Sequence, residues 1–151
     1  MPEYKSANSL SPTDAAYIAG LIDGEGTISL TRRHKNERRQ LVISISNTEM
    51  ELLDYALKTI GVGKITGKRK YKAHHSTGYT YSINNRQALT LLEQIQPFLR
   101  SYKAKRAKLI LKDYIRLTPR NGKYSAQLLI ERERFEEQFL QIKAVTILCT
   151  I

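Results

Sequence analysis

The chain has 151 residues, 41% of them hydrophobic, and a formal net charge of +11 at pH 7, with a pI near 9.8. That length fits one domain, the hydrophobic fraction excludes a disordered chain, and one cysteine, Cys149, excludes an intramolecular disulfide framework and all but excludes a cysteine-built zinc site. No apolar run approaches a membrane span and the first residues carry no apolar signal-peptide core, so the expectation is an intracellular basic protein with a polyanionic partner and no membrane association, located in an organelle or in a bacterial cytoplasm or nucleoid.

Ser11-Pro12-Thr13-Asp14 predicts a helix start, with a serine N-cap, proline at the first helical position and an acid in the first turn. The helix Ala15–Asp23 then meets Gly24-Glu25-Gly26, which stops it. From Thr27 the period changes to two: Thr27–Arg32 and Gln40–Ser46 alternate polar and apolar residues and predict a hairpin with a basic turn. Thr48 and Glu51 form a capping-box pattern ahead of Leu52, Leu53, Ala56, Leu57 and Ile60, which recur at helical spacing. Gly61-Val62-Gly63 ends that helix and leads into strands Lys64–Lys72 and Tyr79–Asn84. Asn85 is expected to cap a helix through Ile95, which Pro97 breaks. A basic helix over 101–117 follows, then a loop at Thr118–Gly122, then an amphipathic helix Ala126–Ile142.

The order α-β-β-α-β-β-α-α-α predicts an α+β fold, a four-strand antiparallel sheet with helices on one face and the other face open. Residues 1–151 read as one domain, with a core over about 11–117 and a C-terminal helical segment over about 118–151. Strand parity sends Ile28, Leu30, Leu41, Ile43, Ile45, Ile65, Tyr79, Tyr81 and Ile83 to the core. The three tyrosines of the second hairpin, Tyr71, Tyr79 and Tyr81, read as core and not as base-stacking platforms. The other face collects Thr27, Ser29, Thr31, Arg33, Arg38, Gln40, Ser44, Lys64, Thr66, Lys68, Lys70, Lys72, Thr80, Ser82 and Asn84, almost without acids. The charge is segmental: +4 over 27–47, +6 over 64–86 and +6 over 100–116, against −3 over 1–26. A solvated sheet face normally mixes both signs. A face of one sign, built from donors that reach phosphates and base edges, suits a DNA groove.

Two oddities mark residues 15–28. Ala16, Gly20 and Gly24 lie at i, i+4 and i+8, and glycine inside a helix costs roughly 1 kcal/mol relative to alanine, which close approach of another backbone offsets. Asp23 and Glu25 sit at a helix C-terminus, where the macrodipole disfavours negative charge. On the residues alone, two readings stay open: these carboxylates gather a cation, or Asp23 makes a local turn bond and Glu25 is simply exposed.

Ile18-Ala19-Gly20-Leu21-Ile22-Asp23-Gly24-Glu25-Gly26 resembles the nonapeptide motif of the LAGLIDADG homing endonucleases, with Ile for the first Leu and Gly-Glu-Gly for the closing Ala-Asp-Gly. The β-β-α-β-β-α order, Ile60-Gly61-Val62-Gly63-Lys64-Ile65 and Gln96-Pro97-Phe98-Leu99 extend the likeness over roughly 15–117, to the short single-motif type. The resemblance implies the αββαββα fold and motif helices that pack pairwise through Ala16, Gly20 and Gly24, and hence a homodimer, since one motif copy is present. It implies that Glu25 ligates a divalent metal, normally Mg²⁺, with the Gly24 carbonyl as a further ligand, and that Asp23 makes structural bonds. It places Asn47 where the family has a polar water-organising residue, often Gln. Lys103 stands at the position of the active-site lysine, with Lys105 the equivalent if the alignment slips by two.

The function implied is Mg²⁺-dependent double-strand cleavage of a long pseudo-palindromic DNA target. The candidate DNA contacts are Ser29, Thr31, Arg33, Lys35, Arg38, Gln40 and Ser44 on the first hairpin, with Lys64, Thr66, Lys68, Lys70, Lys72, Thr80 and Ser82 on the second. An RNA-binding intron maturase, with intron RNA as partner, and a non-cutting DNA-binding regulator are the rival functions for the same fold. Glu25 together with Lys103 argues against both. His34, His74 and His75 read as contacts to DNA or as exposed side chains and not as a second metal site, because adjacent strand residues point to opposite faces.

Overall fold

A computed structural model describes residues 5–67 and 78–145. The elements run α1 (Pro12–Glu25), β1 (Gly26–Thr31), β2 (Gln40–Asn47), α2 (Met50–Ile60), β3 (Lys64–Gly67), β4 (Tyr79–Asn84), α3 (Asn85–Ile95), a 3₁₀ turn (Gln96–Phe98), α4 (Lys103–Asp113) and α5 (Ala126–Gln141). The sheet is four-stranded in the order β1-β2-β4-β3, with every pairing antiparallel. Each hairpin therefore supplies one central and one edge strand, and β2 and β4 join the two halves.

Alternation sets the faces. Ile28, Leu30, Leu41, Ile43, Ile45, Tyr81 and Ile83 are buried beneath the helices, while Ile65 and Tyr79 pack against that core only partly buried. Both lie next to the segment 68–77, which falls outside the described residues, together with Tyr71, His74, His75 and the candidate contacts Lys68, Lys70 and Lys72. Tyr81 is anchored at its tip, its hydroxyl donating to the Val62 carbonyl at 2.6 Å. A Cβ at Gly63, whose φ is +106°, would lie 2.7 Å from the Tyr81 ring, so glycine serves both the backbone conformation and this close approach.

The helix starts show which side chains win the capping competition. Ser11 caps α1 as expected, accepting from the Asp14 N–H. The Thr48/Glu51 capping box does not form: α2 starts one residue later, with Glu49 at the N-cap and no side-chain cap. Asn47 Oδ1 takes the Glu49 N–H at 2.8 Å instead, since an Asn side chain bonding two residues onward competes with a downstream cap. Asn85 does not cap α3 either; it is the first helical residue, with φ of +53°. Its Oδ1 accepts from the Tyr114 hydroxyl at 2.9 Å, and the same hydroxyl accepts from the Leu41 N–H at 3.1 Å. That buried junction ties β2, α3 and α4 together. The basic helix ends at Asp113 and not at Leu117, continuing as turns that still bury Tyr114 and Leu117.

α5 adds Phe135 and Phe139 to the same core. The residues before α1 are strapped across the other side: the Ala7 N–H donates to Thr90 Oγ1 and the Leu10 N–H to Gln94 Oε1, both on α3. No helix among the described residues is long and apolar enough to cross a membrane.

Candidate active site and nucleic-acid interface

The motif ends α1 abruptly. Gly26 donates its N–H back to the Ile22 carbonyl, and a Cβ there would stand 2.7 Å from the Ser44 carbonyl oxygen and 2.8 Å from Ile22 Cα. Only glycine lets the helix turn into β1 while β2 lies this close. The preceding residue, Glu25, is left at the corner, exposed, its carboxylate making no hydrogen bond or ion pair among the described residues.

Asp23 takes the structural role expected of it. Its carboxylate accepts from the Arg100 N–H at 2.8 Å, from the Ser101 N–H at 3.2 Å and from the Ser101 hydroxyl, fixing the chain just before α4. Burial would raise its pKa, but the Ser101 hydroxyl, the two backbone donors and the charge of Lys103 outweigh it and hold the carboxyl below the usual aspartate value.

Lys103 comes to the corner as expected but does not stand free in it. It is 7% exposed, and its Nζ donates to the carbonyls of Ile22 at 2.7 Å and Asp23 at 2.9 Å. A cation capping the last carbonyls of α1 complements the negative end of the helix dipole. Burial pushes its pKa below the usual lysine value, with Asp23 opposing and Arg106 adding to the fall. Lys105 is exposed and lines a shallow groove with Arg100, Tyr102 and Lys143.

Asn47 ends β2 beyond Ile45, the partner of Gly26, and so lies at the same end of the sheet as Glu25. Its side-chain oxygen is committed to Glu49, which leaves the amide nitrogen without a partner among the described residues. The Gly24 carbonyl and the Glu25 carboxylate are hard oxygen donors of the kind Mg²⁺ and Ca²⁺ take. Among the described residues no group of three or more His, Cys, Asp or Glu could hold a metal. The donor chemistry therefore fits a divalent cation, but one chain supplies too few ligands to enclose it.

The small-residue stripe faces outward. Ala16, Gly20 and Gly24 are exposed, and a Cβ at Gly20 or at Gly24 would meet nothing within 4 Å. Nothing among the described residues requires glycine at either position.

On the open face of the sheet, polar side chains pair across strands. Thr27 and Ser44 hydroxyls meet at 2.7 Å and Ser46 and Thr80 at 2.8 Å. Ser29 donates to the Val42 carbonyl. Thr66 pairs with Thr80 and Lys64 with Ser82 in register. Thr31, Gln40, Lys64 and Thr66 are exposed. Arg33 and Lys35 lie in the exposed hairpin turn and Arg38 where it rejoins β2, so strand parity does not govern them. Arg38 is not free on the face: its guanidinium lies 3.4 Å from Glu133 and 4.0 Å from Glu136, both on α5.

That seam holds the residues sequence reasoning missed. Arg132 is 1% exposed, with its guanidinium 5.0 Å from the Tyr114 ring centre and 5.4 Å from that of Phe135. It donates to the Leu117 and Arg39 carbonyls and to the Thr118 hydroxyl, while its Nε lies 3.6 Å from Glu136. Glu136 in turn accepts from the Arg39 N–H at 2.9 Å. The available signal is an Arg–Glu pair at i, i+4 flanking Phe135, but that spacing usually marks a solvated helix face.

A family model described as LAGLIDADG endonuclease matches residues 18–130, which carries the likeness past α4 and into α5. The solved homing endonuclease I-CvuI, in complex with its target in the presence of Ca, superposes with a TM-score of 0.69 at 17% identity, covering 89% of this chain and 85% of that one. The archaeal intron-encoded homing endonuclease I-Vdi141I, complexed with DNA, gives a TM-score of 0.66 at 17% identity over 92% of this chain and 89% of that one. The meganuclease I-AabMI, bound to uncleaved DNA, gives 0.57 at 21% identity over 81% of this chain but only 43% of that one. No curated protein is similar enough in sequence to match. With the motif corner, the open antiparallel sheet and a family match spanning most of its length, this chain belongs to the LAGLIDADG endonuclease family.

Proposed function

We propose that the chain is a site-specific DNA endonuclease that works as a homodimer, each subunit laying its sheet in the major groove of one half-site. The observation that carries this reading is the α1 corner: a carboxylate without a partner among the described residues, at the end of a helix whose small-residue face is exposed. Two copies joined along Ala16, Gly20 and Gly24 bring two Glu25 carboxylates together at a two-fold axis. Such an axis calls for a pseudo-palindromic target, its half-sites spaced by the dimer.

Glu25 and the Gly24 carbonyl would hold Mg²⁺. When bound, a divalent ion supplies a nucleophilic water and offsets the charge that develops on the phosphate oxygens. The chain's own residues prepare the place. Lys103 fixes the Ile22 and Asp23 carbonyls, and Asp23 anchors Ser101, so the turn bearing Gly24 and Glu25 is held from both sides. Lys103 therefore acts here as a positioning residue. The Asn47 amide nitrogen is the group available to orient water or phosphate.

Glu25→Gln tests the proposal. Removing a charged ligand worth several kcal/mol should lower Mg²⁺-dependent cleavage by about 10³-fold or more, with dimerisation and DNA binding retained. A Gln variant that cuts at the wild-type rate removes the metal assignment, and a stable monomer on DNA removes the two-fold model.

A further inference from the structure

We infer that the loop joining α4 to α5 and the start of α3 form a second, sequence-independent grip on the DNA backbone, beyond the outer end of the sheet. This rests on the endonuclease reading and gives part of the segment after residue 117 a role in it. At the hairpin end of β1 the open face runs without a break into a groove of about 1230 Å³, whose floor includes Thr31, Gln40, Lys64 and Ser82. The turn at Arg32–Arg39 forms one wall. The other wall lies off the sheet and carries Arg86 and Arg120.

The charge of this groove is not internally balanced. Arg38 and Arg132 also line it, but Glu133 and Glu136 on α5 answer them. Arg33, Lys64, Arg86 and Arg120 have no ion-pair partner among the described residues, and Glu37 is the only acid in the lining. Arg120 is exposed and bonds to nothing among the described residues. Arg86 reaches only the Thr118 carbonyl, at 3.5 Å, which directs it toward the loop that carries Arg120. Facing walls of unneutralised guanidinium groups, continuous with a face already suited to a duplex, match a phosphodiester strand leaving the read region. Because the contacts are charge to phosphate and not to bases, they should add affinity and register without adding sequence preference.

The test measures anisotropy of a labelled duplex of arbitrary sequence bound to the full chain in Ca²⁺, titrated with KCl. Each lost phosphate contact removes about 0.9 from the slope of log K against log salt, so Arg86→Gln with Arg120→Gln should flatten it by about 2 per bound subunit and weaken binding by roughly 10- to 100-fold near 100 mM salt. Arg116→Gln is the charge control. It removes the same charge from a guanidinium outside the groove that already pairs with Asp113 and Glu131, and it should leave the slope nearly unchanged. Arg120→Gln alone, which breaks no hydrogen bond among the described residues, keeps the test valid if the double variant folds poorly, with an expected slope change of about 1. A wild-type slope in the Arg86 and Arg120 variants overturns this inference while leaving the endonuclease reading in place. A slope loss of equal size in Arg116→Gln overturns it too, since net charge would then suffice. A wild-type chain that binds no duplex overturns both.

Discussion

At one end of β1 the chain leaves Glu25 exposed and its carboxylate without a partner among the described residues; at the other it buries Arg132 beside two aromatic rings and gives its guanidinium three acceptors and a carboxylate. Both ends are charged, and both border the open sheet. They differ in where the compensation lies. The α5 seam answers its charges within one chain, although Arg132 Nε is buried with only the Glu136 carboxylate 3.6 Å away and no hydrogen bond; these charges serve the fold, clamping the hairpin at Arg39 and holding Arg38. The α1 corner is complete only up to Asp23 and Lys103, and its last acid and its glycine face are left over. The carboxylate and glycine face left over there are the groups that the proposed metal and second copy would engage.

The largest expected effect is on the closed end. Arg132→Ala would leave Glu136 buried against a cavity and strip the Arg39, Leu117 and Thr118 acceptors of their donor. Breaking a buried pair from one side costs about 3–5 kcal/mol, which lowers Tm by roughly 10 °C for a domain of this size. Glu25→Gln, at the open end, should change stability by less than about 0.5 kcal/mol. Calorimetry on the two variants checks the contrast; a Glu25 variant that melts as low as the Arg132 variant would mean that the corner is part of the framework after all.

Asp23 marks the boundary between the two regimes and predicts an intermediate loss. Asp23→Asn keeps the shape but weakens charge-assisted bonds to Arg100 and Ser101, at a cost of about 1–2 kcal/mol given their partial exposure. Its folded-state pKa is depressed, so its contribution is fully present above the ordinary aspartate value and is lost as the pH falls through the folded value. Wild type should therefore lose stability faster than Asp23→Asn on acidification below about pH 4, measured as Tm in metal-free buffer. Parallel Tm–pH curves for the two proteins would remove Asp23 from the framework.

How far each region could be read from the sequence follows the same division. The sheet faces were legible because one buried side forces a period of two, and Leu41, Ile43 and Ile45 keep it without a slip. The corner draws attention because it breaks local rules, with glycines inside a helix and acids at its negative end, but on the residues alone both readings of it stay open and only the family resemblance chooses between them. Arg132 and Glu136 break no local rule. An i, i+4 ion pair on an amphipathic helix reads as solvent-facing, and only the packing of Tyr114 and the Arg39 backbone, both far off in sequence, makes it a buried one. The work of Lys103 on the Ile22 and Asp23 carbonyls is hidden from the sequence, because backbone acceptors leave no mark in it. Asn85 departs from the expected cap for the related reason that a distant tyrosine claims its side chain.

The smallest effect is the sharpest test of what covers the open end, because it changes sign with assembly. Gly20 lies inside α1 with nothing within 4 Å of where a Cβ would stand. In an isolated subunit Gly20→Ala can only help, by up to about 1 kcal/mol of helix propensity. If a second α1 packs against this face, the added methyl lies in the contact, and overpacking of about 1–3 kcal/mol should raise the dimer dissociation constant by roughly 5- to 150-fold. Chemical denaturation at dilute and at concentrated protein, with sedimentation at both, separates the two. A monomer that is more stable alongside a dimer that is weaker places the glycine at the subunit interface. Stabilisation of equal size at every concentration would leave the stripe unexplained and would remove the structural basis for pairing two Glu25 carboxylates.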